Sequence, residues 1–313
     1  MFALWLDWQR RDRPEVIIRT GANGANNCSV GFARERLMNG SSTCVNSDAP
    51  HPSVDKRQLR IVIMGRRAAG DALHECRRRG HTVSLVVAAR KDPASTDVLQ
   101  AAAEHSVPVV TDAMLYEELL PARSPILRDV DLVISYLYKR RLRPEMLALP
   151  RIGAFNFHAG PLPEARGIGC HSFAILEGWK EYGASVHWMS PEFDTGDLVR
   201  VERFPIADDE TACSLLTRAY SCTYDLFLWF LGHLESGQAI PRTPQGDGRY
   251  YSRQEMEQAK RILPGDSPAM VDRRARAFWN RLTWGPISSV TGNGLQWLRI
   301  ALCQRDFGIP AKQ

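Results

Sequence analysis

From Leu59 onward the apolar residues fall into short blocks divided by polar, periodic stretches. LRIVIMG (59–65) is a continuous apolar run ending on glycine, the pattern of a strand buried on both faces. RAAGDALHECRRRG follows with helical spacing and is closed by Gly80, just past a helix end. HTVSLVVAA reads as a second strand, STDVLQAAAEHS as a second helix and VPVVT as a short third strand. DAMLYEELLP reads as a helix and DVDLVISYLY as a strong strand. RPEMLALP is a short helix with proline in its first turn, and IGAFNFHA is the next strand. This alternation predicts an α/β fold, Rossmann-like, with a mainly parallel sheet and helices on both faces.

The pattern then continues differently. IGCHSFAILEGWKEY reads as a helix, GASVHWMSP and DLVRVERFPI as strands. DETACSLLTRAYSCTYDLFLWFLGHLESG reads as one long amphipathic helix, with Asp208 to Glu210 near its positive end. Beyond Gly237 the texture shifts to IPRTPQGDGRYYSRQEMEQAKRI and VDRRARAFW, followed by a few expected strands up to Cys303. Three regions are therefore expected. They are a flexible N-terminal extension (1–58), a main α/β domain (59–237) and a small C-terminal α+β accessory unit (238–313). The extension is marked by GANGANNCSVG and NGSSTCVNSDAPHPS, which lack sustained periodicity. Its first residues, MFALWLDWQR, have neither the charge order nor the apolar core of a secretory signal.

Composition narrows the class. The chain has 313 residues, 44% hydrophobic and 24% charged, as in soluble globular proteins. Its richest apolar patch, LFLWFLGHL (226–234), is far shorter than the roughly 18 residues of a membrane span, so no integral membrane segment is expected. A net charge of +5 permits an anionic substrate or nucleic acid without requiring either. Seven cysteines with no CxxC spacing imply neither a disulfide framework nor a zinc site. Free thiols fit a cytoplasmic protein.

Two stretches invite chemistry. GRRAAG (65–70) lies between a strand and a helix, but Arg67 stands where a dinucleotide fingerprint needs its second glycine, so NAD is not expected. FNFHAGPLPEARG (155–167) is the stronger signal. Asn156 and His158 share one face of a strand and lie at its carboxyl end, where open α/β sheets place ligands. Taken alone, the pair reads somewhat more readily as a satisfied structural network. VHWMSPEFDTGDLV (186–199) adds Asp194 in a loop between strands. Asn, His and Asp together supply an amide donor, a titratable imidazole and a carboxylate.

NFHAGPLPEARG, FAILEG, YGASVHWM and FDTGDLV together resemble the 10-formyltetrahydrofolate-dependent formyltransferases. The resemblance spans about 59–234 and is most specific over 155–199. It implies the formyltransferase fold and places Asn156, His158 and Asp194 on the family's catalytic positions, with no metal. Ala159 stands where the family usually has Pro, and Gly160-Pro161 replaces a commoner Ser-Leu. The resemblance also implies folate lining from Ser135 to Tyr138 and from the Asp194 loop, with Tyr136, Leu137 and Glu192 as the residues chosen. Arg166 and Gly167 would face the acceptor, Arg166 as an anion contact or a surface ion pair. His187 either supports the Asp194 loop or is a core histidine. Trp179, Tyr182, Trp188 and Phe193 offer either stacking or core packing. RRARAFW either meets a nucleoside diphosphate or is a solvated helix face.

The implied activity is N-formyl transfer from 10-formyltetrahydrofolate to a small-molecule amine, foremost a nucleotide-linked amino sugar. Methionyl-tRNA is a disfavoured acceptor, because 76 residues follow Gly237 where that enzyme carries a barrel of about 100. The same scaffold could instead release formate from the folate, or serve as a noncatalytic folate- or nucleotide-binding module. A homodimer is compatible with this reading.

Overall fold

The structure, a computed structural model, describes residues 58–278. The expected extension, except Gln58, and the expected strands near Cys303 lie outside the described residues. The strands are β1 (Arg60–Gly65), β2 (Thr82–Val87), β3 (Val109–Val110), β4 (Leu132–Tyr136) and β5 (Gly153–His158), then β6 (Arg166–Gly167), β7 (Glu181–Trp188), β8 (Leu198–Pro205) and β9 (Tyr250–Tyr251). The helices are α1 (Ala69–Arg78), α2 (Thr96–Glu104), α3 (Asp112–Met114), α4 (Pro144–Leu147), α5 (Cys170–Glu177), α6 (Ala212–Glu235), α7 (Arg253–Ala259) and α8 (Pro268–Phe278). Among the described residues no helix is long and apolar enough to cross a membrane.

Seven strands form one sheet in the order β3-β2-β1-β4-β5-β7-β8, and β6 pairs with β9 in a separate two-stranded sheet. β1 to β5 pair in parallel, whereas β7 runs antiparallel to β5 and β8 antiparallel to β7. β1 and β4 are almost wholly buried, which explains their unbroken apolar sequences. The chain leaves β1 in both directions across the sheet, so the carboxyl ends of β1 and β4 flank a switch point, the usual ligand crevice of such folds. Register aligns Gly65 with Tyr136 and Tyr136 with Phe157, which brings three strand ends level.

Local chemistry sets most boundaries. In α1, Ala69, Ala72, Leu73 and Cys76 repeat at helical spacing and are buried. Gly80 follows the helix at φ +88, as its sequence position implied. Two helices differ from expectation. α5 stops at Glu177 because Gly178 takes φ +73, so Glu181 and Tyr182 join β7 instead. α6 starts at Ala212 because Thr211 and Ser214 form a reciprocal capping box. Glu210 does not face the helix end as an isolated charge; it is buried and pairs with Arg218. The stretch after α3 is a π-helical turn, Leu115–Leu119, rather than a continued α-helix.

Alternation along β5 divides the sheet's two jobs. Phe155 and Phe157 face α6, with ring centroids 4.8 Å from Phe230 and 5.2 Å from Phe227. Asn156 and His158 face the opposite side. The aromatic packing behind β5 fixes the strand that carries the polar pair. Replacing Phe230 by Ala should lower stability by about 3–5 kcal/mol. Urea unfolding monitored by fluorescence checks this, and a loss below about 1 kcal/mol would show that the cluster is not close-packed.

Candidate active site

Ser135 at the end of β4 donates its hydroxyl to Asn156 Oδ1 at 2.8 Å, which fixes the amide's orientation. Asn156 Nδ2 then donates to His187 Nε2 at 3.0 Å and, more weakly, to Asp194 Oδ1 at 3.4 Å. His187 Nδ1 donates to the Trp188 carbonyl at 2.7 Å, leaving Nε2 as the acceptor. Antiparallel pairing places Asn156 directly opposite His187 and His158 opposite Ser185.

Asp194 lies in the loop between β7 and β8. Its side chain is only 10% exposed. Oδ1 lies 3.7 Å from His158 Nδ1 and 3.8 Å from His187 Nε2. Oδ2 accepts the Gly167 N–H at 2.9 Å. Burial alone would raise this carboxyl's pKa. The facing charge of His158, the largest opposing influence, and the Gly167 N–H pull the other way, and the pKa is held down at about 2. Asp194 is therefore an anion at neutral pH.

His158 Nε2 donates to the Ala165 carbonyl at 2.7 Å. That bond leaves Nδ1, on the Asp194 side, as the nitrogen able to exchange a proton. A Cβ on Gly160 would lie 2.7 Å from Nε2, so glycine makes room for the ring. The Cys170 thiol also donates to the Ala165 carbonyl at 3.2 Å; burial pushes its pKa well above the ordinary value, so it stays protonated.

Asn156, His158, Gly167, Cys170 and Asp194 line a cleft of about 370 Å³. A second wall of the same cleft carries Arg66, Arg67, Lys139 and Arg253. Desolvation lowers the Lys139 pKa, and Arg66, Arg67 and Arg253 act in the same direction against one carboxylate, Asp92. His171 also faces the cleft; burial, with Arg67 beside it, lowers its pKa to about 4, and its Nε2 has no partner among the described residues. On the other side of Asn156 and Asp194 a pocket of about 30 Å³ separates Arg140 to Leu142 from Met189 to Phe193.

The sequence model of the family described as "Formyl transferase" matches residues 59–228, which include Asn156, His158, Gly167, His187 and Asp194. The chain belongs to the formyl transferase family, a family of enzymes. Its sequence is 31% identical over 230 residues to a methionyl-tRNA formyltransferase of Bartonella quintana, covering 70% of this chain and 74% of that protein. Its identity to a methionyl-tRNA formyltransferase of Bacteroides fragilis is 28% over 236 residues, 72% of this chain and 68% of the other. In fold it is similar to an N-formyltransferase of Helicobacter canadensis, solved with folinic acid and dTDP-3-aminofucose. That likeness has a TM-score of 0.60 at 19% identity and covers 75% of this chain and 85% of that one.

In this formyl transferase Asn156, His158 and Asp194 converge, with Gly167 completing the cluster. Leu137, at φ +54, lines the cleft. Tyr136 does not line it: its ring is fully buried and stacks on Phe157 at 5.7 Å, because strand alternation turns it toward the core. Glu192 lines the smaller pocket and pairs with Arg141 at 2.8 Å. Arg166 is not directed at the cleft as an anion contact. Its guanidinium bonds Gln245 Oε1 at 2.9 and 3.2 Å and the Gly246 carbonyl at 2.9 Å.

His187 serves both roles left open by the sequence, bonding backbone on one side and the site on the other. Of the four aromatic candidates, Phe193 lines the cleft, and so does Tyr182, which is buried and donates to the Ala159 carbonyl. Trp188 packs on Phe155 and Trp179 lies near Tyr251. The RRARAF helix is stitched to the protein, with Arg273 on the Leu176 carbonyl, Arg274 on Asp266 and Arg276 on the Glu210 carbonyl; Trp279 lies outside the described residues. Sequence reasoning missed Gln245 and the convergence of Arg67, Lys139 and Arg253. Only the excess of arginine hinted at the latter.

A carboxyl held below its ordinary value of 3.8 stabilises the fold fully above that pH, and the contribution is lost as pH falls toward about 2. The shift corresponds to about 2 kcal/mol. Urea unfolding at a series of pH values should show this loss in the wild type and its absence in Asp194→Asn. Parallel pH profiles for the two proteins would contradict the assigned electrostatics.

Proposed function

We propose that the protein transfers the formyl group of 10-formyltetrahydrofolate to the primary amine of a nucleotide-linked amino sugar. The observation that carries this reading is the basic wall of Arg66, Arg67, Lys139 and Arg253 in the same cleft as Asn156, His158 and Asp194. A neutral amine needs no such wall, whereas a diphosphate would be bound by it. Folinic acid and dTDP-3-aminofucose, the two molecules bound to the Helicobacter canadensis enzyme, support the same pairing of donor and acceptor. The donor's pteridine would enter between the loop after β4 and the Glu192–Phe193 segment, with Leu137 and Glu192 as neighbours. A cleft of about 370 Å³ is of the size that accepts small molecules.

In this reading the acceptor nitrogen attacks the formyl carbon, and its lone pair forms the new C–N bond. The carbonyl oxygen takes up negative charge. Asn156 Nδ2 has two hydrogens, and the one on the 3.4 Å bond to Asp194 is the weaker held and turns to the oxygen. His158, protonated at Nδ1 beside the anionic Asp194, supplies the second donor. Asp194, directly or through water, receives the proton released by the attacking nitrogen. Collapse of the tetrahedral carbon breaks its bond to folate N10, and the proton passes to that nitrogen. Gly167 presents its N–H to Asp194 throughout, and at φ +94 its missing side chain lets the Tyr251 carbonyl approach, where a Cβ would collide.

Methionyl-tRNA is the second acceptor to consider, because the sequence relatives carry that activity in their names. Incubation with 10-formyltetrahydrofolate and, separately, dTDP-3-aminofucose, methionyl-tRNA or water distinguishes the cases by product mass. We expect the sugar nucleotide to be formylated. Formylation of methionyl-tRNA alone would overturn the acceptor assignment, and formate release without an acceptor would mark a hydrolase. Asn156→Ala should reduce turnover by about 10²–10³-fold. His158→Ala should abolish transfer while folinic acid still binds; unimpaired transfer would sink the mechanism.

A further inference from the structure

We propose that Gln245 is a positioning residue for formyl transfer, whose side-chain amide holds the Asp194 loop so that the carboxylate stays between His158 and Gly167. The proposal rests on the reading of Asp194 as catalytic. Gln245 lies beyond the matched family segment, 51 residues from Asp194 in the chain. Its Nε2 donates to the Asp194 carbonyl at 3.1 Å and to the Gly196 carbonyl at 2.6 Å. Its Oε1 accepts two bonds from the Arg166 guanidinium, so the amide cannot be reversed without losing both sets.

These bonds close a ring. Arg166 is followed in β6 by Gly167, whose N–H holds Asp194 Oδ2; the Asp194 backbone is held by Gln245, and Gln245 by Arg166. Both ends of the aspartate are thereby tied to one dipeptide. The need for such a tie is visible at Asp194 itself, which sits at φ +57, a left-handed conformation that is unfavourable for a non-glycine residue. It persists only where the surroundings over-determine it. Gly196 contributes by packing its α-carbon onto the Trp188 carbonyl, leaving no room for a Cβ. Ser190, Glu192 and Thr195 bond one another within the loop. Gln245 alone among the described residues bonds the carbonyls on both sides of Thr195.

The backbone that presents Gln245 is secured independently of its side chain. Leu198 and Thr243 exchange backbone bonds at 2.7 and 3.0 Å, Trp188 Nε1 donates to the Pro241 carbonyl, and Arg166 N–H donates to the Arg249 carbonyl. A Cβ on Gly248 would collide with the Pro163 carbonyl, so the strap runs flush against the turn after His158. Loss of the Gln245 amide should therefore loosen Asp194 without unfolding the strap. A carboxylate displaced by about 1 Å from a reacting centre costs on the order of 10²-fold in rate.

Gln245→Glu is the discriminating variant. It keeps the bulk and the Arg166 partner but replaces two donors by an oxygen facing two carbonyls. The experiment compares wild type, Gln245→Glu, Gln245→Ala and Asp194→Asn, all as the full chain and checked by thermal melting. It reads the histidine ring ¹⁵N resonances and formyl transfer from 10-formyltetrahydrofolate to dTDP-3-aminofucose. In both Gln245 variants the His158 Nδ1 resonance should move toward its position in Asp194→Asn. kcat should fall by about ten- to a hundredfold with KM for the folate nearly unchanged. A wild-type His158 spectrum in Gln245→Glu overturns the proposal. Should Gln245→Ala melt early, Gln245→Glu decides alone. A wild type that leaves dTDP-3-aminofucose unformylated refutes the acceptor reading, and full activity in Asp194→Asn refutes the catalytic one; the ¹⁵N comparison decides the Gln245 question in either case.

Discussion

The organisation of this molecule turns on one buried anion. The Asp194 carboxylate sits among His158, His187 and Asn156 with one oxygen and on the Gly167 N–H with the other. A carboxylate removed from water costs several kcal/mol unless its lone pairs are met, and here the partners come from three different elements. β5 brings Asn156 and His158, β7 brings His187 and β6 brings Gly167. The antiparallel placement of β7 beside β5 follows from the same demand, since it sets His187 across from Asn156 and lets a short loop return Asp194 to both.

The parallel part of the fold was legible because β1, β2 and β4 are buried on both faces, and such strands leave unbroken apolar runs. Gly80 was legible as a stop signal, and Asn156 with His158 as a same-face pair, because both depend only on local geometry. What was hidden depends on register and on distant chain. Strand alternation turned the Tyr136 ring to the core although its neighbour Leu137 meets the cleft. Arg166 looked like an anion contact because nothing near it in sequence hinted at Gln245, 79 residues on. The end of α5 was set by a left-handed Gly178, and the start of α6 by a Thr211–Ser214 box rather than by the acidic Asp208–Glu210 just before it. The basic wall was invisible as a unit because Arg67, Lys139 and Arg253 come from three separate segments.

The departure at Ala159 and Gly160, next to the histidine, has a structural answer. A proline at 159 would fix φ by its ring; here the turn is held from outside. Tyr182 donates its hydroxyl to the Ala159 carbonyl at 2.9 Å, and Ser185 donates to the Gly160 carbonyl at 2.8 Å while accepting the Leu162 N–H. Ser185 is the residue paired across the sheet from His158, so the support of the turn and the placement of the imidazole come from the same strand position. Gly160 then leaves its Cβ space to the ring, which reaches the Ala165 carbonyl through Nε2 and turns Nδ1 toward Asp194. The turn thus presents the Nδ1 edge of the imidazole to Asp194, with two buried side chains of β7, Tyr182 and Ser185, holding its carbonyls.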